Sequence, residues 1–84
     1  MRSNPVRYTI KLPKLGDTTE LVVVLEWLAE VGDSVAAGDD LLRVETDKVD
    51  SDVPSPVSGT IVEHLVAVDD EVDIGDPIVI IVSD

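Results

Sequence analysis

Glu26-Trp27-Leu28-Ala29-Glu30-Val31-Gly32-Asp33-Ser34-Val35-Ala36-Ala37-Gly38-Asp39 is answered, 37 positions later, by Glu63-His64-Leu65-Val66-Ala67-Val68-Asp69-Asp70-Glu71-Val72-Asp73-Ile74-Gly75-Asp76. Such self-similarity at a fixed offset marks two equivalent structural units. The correspondence runs on into Leu41, Leu42 and Val44, which fall on Ile78, Val79 and Ile81, and ends with Asp47 on Asp84. Each unit reads as strand, turn, short strand, turn, strand. Gly32-Asp33 and Gly38-Asp39 punctuate the first, and Asp69-Asp70 and Gly75-Asp76 the second, because glycine and aspartate reach the backbone angles that tight turns need.

Neither unit can cover its own apolar face. The expected architecture is all-β: a flattened barrel or sandwich of two four-stranded antiparallel sheets with quasi-two-fold symmetry. Candidate strands are Tyr8 to Leu12, Leu21 to Leu28, Ser34 to Ala36, Leu41 to Thr46, Val49 to Val53, Gly59 to Leu65, Glu71 to Asp73 and Ile78 to Val82. No segment reads as a helix. Residues 1–7 are expected to form a flexible N-terminal segment, and 8–84 the domain.

Composition agrees. At 84 residues without cysteine, the chain has room for one small domain whose core must come from packed aliphatic side chains. Valine predominates and there are only two aromatic residues, which favours a pleated surface. A net charge of −12 and a pI near 4.1 argue against nucleic acid or an anionic membrane as partner and favour basic protein surfaces. Residues Met1 to Thr9 lack the apolar run of a signal peptide, and no stretch is long enough for a membrane span. The expected setting is the cytoplasm, or the mitochondrial matrix in a eukaryote, with the isolated domain monomeric.

The hairpin Leu42-Arg43-Val44-Glu45-Thr46, Asp47-Lys48, Val49-Asp50-Ser51-Asp52-Val53 stands apart. A two-residue turn fixes its register: Thr46 faces Val49, Val44 faces Ser51 and Leu42 faces Val53 inward, while Arg43 pairs with Asp52 and Glu45 with Asp50 outside. Glu45 opposite Asp50 sets like charges together, at a local cost. Asp47-Lys48 is also an unusual turn pair, since primed turns favour asparagine and glycine. Lysine there discourages edge pairing or displays an amine for modification.

Glu45-Thr46-Asp47-Lys48-Val49, followed by Val53-Pro54-Ser55-Pro56-Val57-Ser58-Gly59, resembles the signature of lipoyl domains. Leu12-Pro13-Lys14-Leu15-Gly16 resembles that family's opening, and Trp27-Leu28 with Val31-Gly32-Asp33-Ser34-Val35 its middle. The resemblance covers about residues 8 to 83 and implies lipoate joined by an amide to Lys48, with Asp47 and Val49 as the flanks read by the attaching enzyme. It also implies a non-catalytic carrier, part of a dihydrolipoamide acyltransferase in a 2-oxo acid dehydrogenase complex. The arm would shuttle acyl groups and reducing equivalents. Its partners would be a lipoate-attaching enzyme, a thiamine-diphosphate-dependent decarboxylase, the acyltransferase core and dihydrolipoyl dehydrogenase. Glu45, Asp50 and Glu20 are candidates for partner recognition. In many relatives an acidic residue in the loop containing Glu20 is followed by glycine, whereas here Leu21 follows.

A biotinyl carrier shares the architecture but typically sets its lysine between methionines, whereas Asp47 and Val49 flank Lys48. An unmodified acidic interaction module would explain the charge and leave Lys48 without a role. A calcium loop over Asp69, Glu71 and Asp73 fails, because Ile80 stands where the closing glutamate belongs. No metal site and no catalytic residue is expected. His64, aligned with Trp27 in the repeat, is expected to pack at the surface, and Trp27 to be a packing residue.

Overall fold

A computed structural model describes residues 5–14, 21–46 and 49–83. Its strands are β1 (Val6–Lys11), β2 (Val22–Trp27), β3 (Ser34–Val35), β4 (Asp40–Glu45), β5 (Asp50–Pro54), β6 (Gly59–His64), β7 (Glu71–Val72) and β8 (Pro77–Ser83), with no helix among the described residues. They form two four-stranded antiparallel sheets, ordered β1-β8-β6-β3 and β5-β4-β2-β7. No strand pairing joins the two among the described residues, so the architecture is the sandwich form of the expected fold.

The repeat becomes an approximate two-fold axis relating β2 to β6, β3 to β7 and β4 to β8. Hydrogen bonds obey it. Asp33 Oδ2 accepts from Glu30 N at 2.9 Å and Asp70 Oδ2 from Ala67 N at 2.8 Å. Asp39 Oδ2 accepts from Ala36 N and Asp76 Oδ2 from Asp73 N, both at 2.9 Å. These carboxylates cap turns of the same build. They also shorten the strands: Ala36 and Asp73, expected at the ends of β3 and β7, are already committed to the turn. At the other end β1 begins two residues before Tyr8, because Val6 and Arg7 pair with Ser83 and Val82.

Each unit lends its short strand to the other's sheet. β3 pairs with β6, and β7 with β2. The two halves therefore interlock through backbone ladders as well as apolar contact.

The core lies between the sheets. Leu41, Leu42, Val44, Val53, Ile61, Ile78, Val79 and Ile81 are sealed from water, each burial contributing about 1.5–3 kcal/mol. Consecutive inward residues such as Leu41-Leu42 break the alternation of a regular strand. Bulges explain them: the β4–β5 register slips between Asp40 and Leu42, and β1–β8 slips at the equivalent Ile78.

Candidate functional site

The hairpin of β4 and β5 has the register expected from its sequence. Glu45 pairs with Asp50, Val44 with Ser51, Arg43 with Asp52 and Leu42 with Val53. Leu42, Val44 and Val53 are buried, whereas Glu45 and Asp50 are exposed. Two-residue alternation therefore turns the aliphatic side chains to the core and the charges outward.

Arg43 lies in a frame of acids. Its Nε donates to Asp52 Oδ1 at 2.9 Å, across from Glu26 on β2 and near Asp50. The hydrogen bond to Asp52, then the charges of Asp52, Glu26 and Asp50, raise its already high pKa, so it stays cationic at any working pH. It is the only cationic residue in the four strands of its sheet.

The last described pair of the hairpin is Thr46 and Val49. Thr46 N–H donates to Val49 O at 3.0 Å. The Thr46 hydroxyl donates to the same carbonyl at 2.7 Å and accepts from Val49 N–H at 3.1 Å. Thr46 is buried and Val49 is 62% exposed. Asp47, Lys48 and Glu20 lie outside the described residues. The structure thus brings Glu45, Val49 and Asp50 together at one end of one hairpin, bracketing Asp47-Lys48 in the chain.

Two further features escaped the sequence reading. Trp27 and His64 stack face to face, with ring centroids 3.6 Å apart and an interplanar angle of 5°. Trp27 Nε1 donates to Val66 O and His64 Nε2 meets Ala29 O, both at 3.0 Å, and these contacts are themselves related by the repeat. The alignment of Trp27 on His64 held the signal, because residues exchanged by a two-fold axis can touch only on it. Gly59 is the second: a Cβ there would lie 2.5 Å from Val82 O and 2.8 Å from Ile81 Cγ2. Its place in Pro-Val-Ser-Gly is therefore a close approach of β6 to β8.

Among the described residues no group of three or more His, Asp or Glu side chains could hold a metal ion.

The family model described as "Biotin-requiring enzyme", of the biotin/lipoyl type, matches residues 8–81. The chain belongs to this family as a lipoyl domain. It is 48% identical over 66 residues to the dihydrolipoyllysine-residue acetyltransferase component of the pyruvate dehydrogenase complex of Corynebacterium glutamicum, covering 79% of this chain and 10% of that protein. With the corresponding component of Acholeplasma laidlawii it shares 42% over 74 residues, 88% of this chain and 14% of the relative. A succinyltransferase component of the 2-oxoglutarate dehydrogenase complex of Staphylococcus saprophyticus is 36% identical over 72 residues, 86% of this chain and 17% of the relative. The lipoyl domain thus spans between a tenth and a sixth of the length of these larger acyltransferases.

Proposed function

We propose that this lipoyl domain carries lipoate on Lys48 and serves as the mobile, non-catalytic arm of a dihydrolipoamide acyltransferase in a 2-oxo acid dehydrogenase complex. The observation that supports the reading is the β4–β5 hairpin, whose described ladder closes with Thr46 and Val49, the residues that flank Asp47-Lys48 in the chain.

The residues present fit the attached group. Glu45, Val49 and Asp50 are exposed, so a modifying enzyme can approach this end without displacing the core. The chain contains no thiol of its own. When bound, lipoate supplies a pair of sulfur atoms able to carry acyl groups and electrons. The protein's own part is presentation: β4 and β5 carry the residues on either side of Asp47-Lys48, and the sandwich core anchors both strands. Tethering a small domain beside several active sites raises the effective concentration of its arm at each. Partners of this role are a lipoate-attaching enzyme, a thiamine-diphosphate-dependent decarboxylase, the acyltransferase core and dihydrolipoyl dehydrogenase.

Incubation with a lipoate ligase, lipoate and ATP, followed by intact-mass measurement, tests the reading. One lipoyl adduct on the parent chain and none on Lys48→Arg is the expected result. A biotin adduct from a biotin ligase with none from the lipoate ligase would move the domain to the biotinyl branch of its family. No adduct from either would leave an acidic interaction module.

A further inference from the structure

We infer that Thr46 is a positioning residue for modification of the chain: its hydroxyl sets the geometry that the lipoate-attaching enzyme reads. The inference rests on Lys48 being the attachment site.

Asp47-Lys48 lacks the glycine or asparagine that would favour a tight hairpin turn on local grounds. A restraint from outside the pair must compensate. The Thr46 hydroxyl provides one, since it spans both backbone polar groups of Val49, accepting from the N–H at 3.1 Å and donating to the carbonyl at 2.7 Å. Together with the main-chain bond from Thr46 N–H, three hydrogen bonds connect the residue before the pair to the residue after it. Thr46 is only 8% exposed, so water competes poorly for these groups. The same device recurs where Ser55 Oγ donates to Val57 O at 2.5 Å and accepts from Val57 N–H at 3.3 Å, again a buried hydroxyl clamping the backbone beyond it. Without its hydroxyl, the hairpin end would have to be ordered at the moment of binding, and that cost falls on enzyme recognition.

Thr46→Val removes the hydroxyl and keeps the branched bulk, whereas Thr46→Ser keeps the hydroxyl. Each is assayed with lipoate ligase, lipoate and ATP, with far-UV circular dichroism to confirm the folded state and Lys48→Arg as the negative control. The expected result is a fall in kcat/KM on the order of tenfold for Thr46→Val, about the worth of one hydrogen bond and carried mainly by KM. Thr46→Ser is expected within about threefold of the parent, as for a hydroxyl that positions the turn. Equal rates for the folded valine variant and the parent would overturn the inference, and so would a serine variant as slow as the valine one. Amide exchange of the parent supplies a test that requires no variant. Slow exchange at Val49 N–H supports the clamp, and exchange as fast as in an unstructured chain overturns it. If the parent itself takes no adduct, or Lys48→Arg still does, the failure is of the attachment site and not of Thr46.

Discussion

Trp27 and His64 show how much one residue's environment owes to the residue it is paired with. Trp27 Nε1 can only donate, and it reaches Val66 O. His64 Nε2 reaches Ala29 O, and a carbonyl can only accept, so Nε2 must carry the proton. Nitrogen-15 NMR of the His64 ring should find it there. Trp27→Phe keeps a ring for the stack but loses the donor, and thermal unfolding should show a loss of about 1 kcal/mol. At Asp69, φ is +75°, whereas the equivalent Gly32 sits at +97°. Only glycine adopts this left-handed region without strain, although aspartate tolerates it better than most. Asp69→Gly should therefore raise stability by about 0.5 kcal/mol, the relief of strain being partly offset by a more disordered unfolded chain, and Asp69→Ala should lower it. A glycine variant less stable than the parent in chemical denaturation would show that Asp69 serves more than its turn.

At the scale of the element, β6 is set by the absence of a side chain. Gly59→Ala must push β6 away from the Val82 carbonyl or distort β8, a backbone obstacle that cannot rotate aside, and should cost about 1–3 kcal/mol in chemical denaturation. The turns were legible in the sequence, because Gly-Asp pairs combine a left-handed residue with a carboxylate that caps the bend. The hairpin register was legible too, because a two-residue turn between alternating strands admits one pairing that buries Leu42, Val44 and Val53. The bulges were not. The adjacent apolar pairs Leu41-Leu42 and Ile78-Val79 fit either a strand buried on both faces or a slipped register, and only the partner strands β5 and β1 decide between them. The clamp at Thr46 was hidden for a similar reason, since a threonine beside a turn has several possible hydrogen-bond partners and the sequence ranks none of them.

Across the whole molecule the two-fold symmetry of the backbone is broken by charge. The β5-β4-β2-β7 sheet carries Glu26, Asp40, Glu45, Asp50, Asp52 and Glu71 against the single Arg43, whereas the strands of the other sheet carry Glu63 against Arg7 and Lys11. Symmetry-related positions make the contrast plain: Arg43 corresponds to Ile80 and Glu45 to Val82. The acids thus gather on the sheet that bears the candidate site, where they would steer a basic partner toward the turn. Reversing Glu45 and Asp50 to lysine should slow modification by a lipoate ligase about tenfold at low salt, with the gap closing as salt screens the field. A gap unchanged from low to high salt would argue against steering. The sequence by itself determined the two-unit repeat, the strand content, the Gly-Asp turns and the register of the β4–β5 hairpin, because these follow from local periodicity and turn chemistry. Only the tertiary structure decided that each unit gives its short strand to the other's sheet, that Trp27 meets His64 on the axis, and that Gly59 lies against β8. A repeat states which residues are equivalent. Which of them touch depends on where the symmetry axis passes, and that is fixed by how two apolar faces pack in three dimensions.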